Sequence, residues 1–177
     1  MPWDLPDADL PGRRGLEAAF ELSLRRMSSF MHLMSQAAAD RIGINATDLN
    51  CLNILSLGGM LTAGQLAQAT GLTTASITGV VDRLEQAGYV RRERDANDRR
   101  RVVIHLILEP VLRDVVTVFE PMLAAWRQVA AGYTDDELKL ILRFQAQTEQ
   151  VLRDNLIRLR RPDAKTAVRG QAPPPRE

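Results

Sequence analysis

The sequence predicts a mainly α fold with one small β-hairpin, on three observations. Apolar residues recur with a period near 3.6 over long stretches towards both ends, the mark of amphipathic helices. Between these stretches lie three shorter helical patterns, each closed by glycine. The last of them runs into two short β-leaning segments, Tyr89-Val90 and Val102-Val103-Ile104, which bracket an arginine-rich run from Arg91 to Arg101. That run holds six arginines against three acids, a local charge of +3. Three compact helices followed by a basic hairpin make a winged helix-turn-helix lobe, here flanked by long helices that we read as dimerisation helices.

Each element has its own signal. Residues 1–12 carry Pro2, Pro6, Pro11 and several aspartates, and read as a flexible N-terminal arm. Leu16, Phe20, Leu24, Met27, Met31, Met34 and Ala38 then form one apolar stripe, so a single long helix is expected to about Arg41, ended by Gly43. Asn45-Ala-Thr-Asp48 is an N-terminal signal for a second helix, stopped by Gly58-Gly59. Thr62-Ala-Gly-Gln65 is a capping-box pattern opening a short third helix, broken at Gly71. Thr73 or Thr74 caps a fourth, whose Ile77, Val80, Val81 and Leu84 share one inward face before Gly88 ends it.

The hairpin follows. Helical periodicity returns from Val111 through Trp126, with Pro121 inside it, where the ring should kink or divide the helix. Thr134-Asp-Asp-Glu137 is a further capping box, opening a last helix through Leu159. Residues 161–177, with Pro173-Pro-Pro175, read as a disordered tail. The expected domain is thus 13–160, with dimerisation helices at 13–43 and 110–160 and the winged lobe at 45–108. Long striped helices offer more apolar surface than the lobe covers, and a twofold homodimer follows from that.

Bulk composition narrows the function. A chain of 177 residues, 45% apolar and 25% charged, is an ordinary globular protein. No run approaches the ~20 apolar residues a membrane span requires. The N-terminus lacks the regions of a signal peptide, and the lone Cys51 has no intrachain partner, so we expect a cytoplasmic protein without a membrane role. A net charge of +1 is uninformative, whereas its clustering is not. Local charge sets the field that a phosphate feels within a Debye length of ~10 Å.

The expected partner is double-stranded DNA. On the fourth helix, Thr73, Thr74, Ser76, Thr78, Gly79 and Arg83 point away from the apolar face. Hydroxyls at a helix N-terminus suit phosphate, threonine methyls suit thymine, and an arginine suits guanine or phosphate. Gly79 permits close backbone approach. In the hairpin, Arg92, Arg94, Arg99 and Arg101 are the expected DNA contacts, with Arg94 and Arg99 near the tip and suited to an A·T-rich minor groove. Asp98 would repel phosphate; its expected role is to brace the wing by holding a nearby guanidinium, Arg100 or Arg94.

With these residues placed, the chain resembles the MarR family of transcriptional regulators over about residues 16–160. The resemblance is carried by Leu61-Thr-Ala-Gly-Gln-Leu-Ala-Gln-Ala-Thr-Gly-Leu72, by Thr73 through Val90, and by the Asp98-Arg-Arg run just before an apolar strand. It implies a homodimer with interlocked terminal helices, two winged lobes on a palindromic operator, and Asp98 and Arg100 as the wing's supporting ion pair. It also implies repression relieved by a small effector, often phenolic or an aromatic carboxylate. The chain departs from the family pattern after the second wing strand, where Leu106-Ile-Leu-Glu-Pro110 stands in place of the usual Leu-Thr and glycine, so the next helix start is open.

Met27, Met31, His32 and Met34 on the first helix are the candidate effector-binding residues, with Arg25 or Arg26 as partners for an anionic group. Two alternatives stand beside the regulator. One is a winged helix used for protein assembly, for which six wing arginines have no purpose. The other is a redox-sensing regulator built on Cys51. An enzyme is not expected: two histidines and one cysteine offer no metal-ligand spacing, no nucleotide fingerprint is present, and no cofactor or metal is called for.

Overall fold

The computed structural model describes residues 12–95 and 98–160; the expected arm and tail lie outside them, except for Gly12. The element order is α1 (Gly12–Ile42), α2 (Ala46–Gly58), β1 (Leu61–Thr62), α3 (Ala63–Thr70), α4 (Thr74–Gln86), β2 (Val90–Arg94) and β3 (Val102–Leu106). There follow α5 (Leu108–Pro110), a π-helical turn (Val111–Val116), α6 (Thr117–Ala130) and α7 (Asp135–Arg160). The chain forms two compact units, divided after Pro121.

In the first unit the glycine stops work as backbone switches. Gly43, Gly71 and Gly88 adopt φ of +83°, +77° and +81°, a region that side-chain-bearing residues avoid. The helix starts are capped as the sequence implies. Asn45 accepts from the Asp48 N–H, Thr62 and Gln65 form a complete capping box, and Thr73, not Thr74, caps α4.

The core of this unit joins Leu52, Leu55, Leu66, Ile77, Val81, Leu84, Val90 and Ile104, each at most 2% exposed. These side chains come from α2, α3, α4 and both hairpin strands, so the reading helix and the wing rest on one packed base. A second cluster seats Ala38 and Ala39 of α1 against Leu49, with Val115, Val118 and Phe119 alongside.

Three features differ from the sequence expectation. The wing is a three-stranded antiparallel sheet of order β1-β3-β2, because Leu61 and Thr62 pair with Ile104 and Val103. Two residues carry no detectable period, and Thr62 already serves as a cap. Helix resumes at Leu108, before Val111, so the wing lobe passes directly into helix. Pro121 does not divide its helix: α6 runs through it. The irregularity lies upstream, in the π turn that follows Pro110, where Thr117 Oγ1 donates to the Leu112 carbonyl five residues back at 3.3 Å. The one hydrogen bond that proline removes falls beside this existing change of ladder, where little further is lost.

The second unit contains the end of α6 and all of α7. Thr134 and Glu137 cap α7 reciprocally, the Thr134 N–H donating to Glu137 at 2.8 Å and the Glu137 N–H to Thr134 Oγ1 at 3.3 Å. These hydrogen bonds hold the Glu137 carboxyl below its ordinary pKa. Neither helix has a buried residue, and Trp126, Leu140, Leu142, Val151, Leu152 and Leu159 are all exposed.

Candidate nucleic-acid interface

The N-terminal half of α4 is a polar, shallow face. Thr73 Oγ1 accepts from the Ser76 N–H at 3.1 Å, and the two hydroxyls share a hydrogen bond of 2.8 Å. Thr78 turns its hydroxyl proton inwards, donating to the Thr74 carbonyl at 3.0 Å. Thr74, Ala75, Ser76 and Thr78 are exposed. Gly79 has no positive φ, and a Cβ built there would meet only Arg83 Nη1, at an ordinary 3.7 Å. The fold therefore has no need of glycine at this position.

Arg83 does not serve this face, which corrects the sequence expectation. Its Nε and Nη2 donate to the two oxygens of Asp48 at 2.9 and 2.6 Å. Asp48 is 2% exposed and also accepts from Asn45 Nδ2 at 2.9 Å. A buried carboxylate demands a charged, fork-shaped partner, and this demand turns Arg83 towards α2. The Asp48 hydrogen bond in turn raises the pKa of the guanidinium. Nothing in the sequence marked Asp48 for this, since its place in the Asn45 cap already accounts for it.

Arg92 is likewise withdrawn from the expected DNA contacts. Its Nη2 lies 2.5 Å from Asp82, its Nη1 pairs with Glu85, and its backbone N–H donates to Glu85 at 3.1 Å. Nη2 also reaches the Thr78 carbonyl at 3.4 Å. Arg92 straps strand β2 to the outer side of α4. The signal was present but unread: Asp82 and Glu85, three apart on one helix, are neighbours that one guanidinium spans.

Beyond the strap, β2 and β3 pair from Val90–Leu106 to Arg94–Val102. Glu93 sits between Arg91 at 2.6 Å and His105 at 3.2 Å. At the turn, the Asp95 N–H donates to the Arg101 carbonyl at 3.0 Å and the Arg101 N–H to the Asp98 carbonyl at 2.9 Å. Asp98 Oδ1 accepts from the Arg100 backbone N–H at 3.1 Å. The link between Asp98 and Arg100 thus runs through the main chain, in place of the guanidinium pair expected. A carboxylate two residues before an N–H closes an Asx-type turn, a shorter reach than any guanidinium offers. Arg94, Arg99, Arg100 and Arg101 are exposed and make no ion pair among the described residues.

The candidate effector residues do not converge on α1. Met27, Met31 and Met34 share one exposed face. His32 lies on another, against Gln36 at 3.1 Å. Cys51 is fully buried, and burial, aided by the nearby Asp48 charge, pushes its thiol up to about 11. A protonated, enclosed thiol is a poor sensor, so the redox alternative is set aside. Among the described residues no cluster of three His, Cys, Asp or Glu side chains suits a metal, and no helix is long and apolar enough to cross a membrane.

Comparison with known proteins matches this geometry. Residues 42–101 fit the model of the MarR family. An uncharacterized HTH-type transcriptional regulator of Bacillus subtilis (strain 168), YcgE, is 40% identical over 148 residues, spanning 84% of this chain and 96% of that protein. The structure of a MarR family protein from Bacillus stearothermophilus superposes with a TM-score of 0.62 at 25% identity, over 80% of this chain and 98% of the other. A mutant S. aureus MepR bound to an oligodeoxyribonucleotide shares the fold at 18% identity and a TM-score of 0.51, over 75% of this chain and 97% of that one.

Proposed function

Because this chain belongs to the MarR family of winged-helix transcriptional regulators, we propose that it is a homodimeric repressor that binds a palindromic operator and releases it on binding a small effector. The observation that carries the DNA reading is the separation of its arginines. Arg83 and Arg92 are consumed inside the lobe, while Arg94, Arg99, Arg100 and Arg101 stand free on the wing beside the uncharged start of α4. Free arginines on a projecting hairpin are placed for phosphates and the minor groove, and Thr74, Ser76 and Thr78 for base edges. A protein-assembly module has no use for such a cluster. The related MepR mutant seen with an oligodeoxyribonucleotide adds support at the level of fold.

The dimer rests on the apolar side chains exposed along α1 and α7, Leu16, Met27, Val151 and Leu152 among them, which exceed what a monomer usually shows to water. The effector part rests on the polarizable face of Met27, Met31 and Met34 and belongs to a small aromatic or phenolic molecule. Relatives that are regulators, and not catalysts, favour a binding function over an enzymatic one.

A gel shift with the gene's own upstream region, at 50 and 200 mM salt, tests the proposal. Neutralising about eight phosphates per dimer should cost about 10³- to 10⁵-fold in affinity across that range. Arg94→Ala and Arg99→Ala should lessen the salt slope by about one for each phosphate contact removed from the complex. Binding that ignores salt, or no binding, would count against the reading.

A further inference from the structure

Accepting that α4 enters a major groove, the internal bonds of this lobe restrict what the helix can recognise. The strongest major-groove mark of a G·C pair is the pair of acceptors on guanine, N7 and O6, and its usual reader is a bidentate arginine or lysine. The one basic residue of α4, Arg83, has its Nε and Nη2 bound to Asp48. The nearest wing cation, Arg92, is bound to Asp82 and Glu85 on the helix's own outer side. Together these leave the helix and its strap with a surplus of one negative charge, Asp82 and Glu85 against Arg92.

The hydroxyls carry the point further. A threonine hydroxyl has a single proton. That of Thr78 is spent on the Thr74 carbonyl, so towards a base it is an acceptor only. It suits the amino group of adenine and opposes the acceptors of guanine. What remains on this side is methyl surface, from Ala75, Thr74 and Thr78, beside Gly79, where nothing in the fold demands a missing side chain. An acceptor beside methyl groups matches the two major-groove marks of an A·T pair, the adenine amino group and the thymine methyl.

We propose that α4 selects A·T pairs, reading the thymine C5-methyl with Ala75 and the threonine methyls and the adenine amino group with Thr78, and contacts no guanine. Specificity in this regulator then comes from shape and methyl contact at the helix, and charge from the wing alone.

The test is selection of preferred sequences from random DNA by the full-length protein, followed by two altered operators. Replacing thymine by deoxyuridine removes only the C5-methyl, and replacing guanine by 7-deazaguanine removes only N7. Both changes lie in the major groove, so minor-groove contacts of the wing do not register. Deoxyuridine should weaken binding about fourfold per buried methyl, while 7-deazaguanine at any guanine in the site should change nothing. Thr78→Val should keep the methyl preference and lose the adenine preference. A selected site whose 7-deazaguanine form binds tenfold more weakly, with no effect of deoxyuridine, would falsify this inference and leave the regulator intact. Failure to enrich any sequence would bring down the operator reading itself, and this one with it.

Discussion

Asp48 and Arg83 show how a buried acid decides the fate of a surface arginine. Asp48 is almost completely enclosed, while the Arg83 side chain remains about half exposed at 52%. Their removal should therefore be unequal. Arg83→Ala leaves a buried carboxylate with only Asn45 for company and should cost about 2–4 kcal/mol in urea unfolding. Asp48→Ala leaves a guanidinium that water can still reach and should cost about half as much. Equal losses, or the reverse order, would show that the pair is not governed by the desolvation of Asp48. Cys51 allows a separate check. Its folded pKa of about 11 lies above the ordinary 9.0, so its contribution to stability is fully present below about pH 9 and is lost as pH rises through about 11. Native protein at pH 8 should resist iodoacetamide, and unfolded protein should react. At this scale the sequence was only partly legible: the arginines of the wing could be named, but which of them were free depended on acids in other elements.

Helix α4 combines two demands that pull apart. A helical glycine at position 79 is unfavourable, and no neighbour requires it. Gly79→Ala should therefore stabilise the lobe by about 0.5–1 kcal/mol while weakening operator binding, as thermal unfolding and a gel shift on one preparation will reveal. Unchanged DNA affinity would mean that nothing approaches the helix there. The Arg92 strap makes a second prediction about elements. Arg92→Ala frees β2 from α4 without removing a DNA contact, so affinity should fall through a less ordered wing. Hydroxyl-radical footprinting should then lose protection in the minor groove while methylation interference in the major groove stays in place. Simultaneous loss of both would mark a general failure of the lobe. The caps at Asn45, Thr62, Thr73 and Thr134 were legible because a cap is a local contract among four residues. Strand β1 was not, since its pairing with β3 is made across some forty residues of chain.

The two units carry different kinds of surface. The first has a closed core; the second exposes most of its apolar side chains, among them Leu152 at 64% and Leu159 at 80%. Light scattering should give twice the 19.7 kDa chain mass at micromolar concentration. Leu152→Glu with Leu156→Glu should shift the protein to monomer while leaving the circular dichroism of the winged lobe in place. A monomeric native protein would remove the argument for a second copy. The amphipathic stripes of α1 and α7 could be read from periodicity, yet periodicity alone does not say which partner covers them, and for that reason the dimer stays a matter for solution measurement.

The π turn at Val111–Val116 bears on how this chain tolerates changes of length. A ladder that bonds five residues back holds one residue more than an α turn of the same reach. Deleting a single residue there would restore the ordinary spacing and rotate every later position by about 100° around the helix axis. Met122 and Trp126 would then exchange orientation with the polar neighbours beside them. The bulge thus acts as a register key: an insertion elsewhere in this linker is absorbed or not according to whether the bulge survives it.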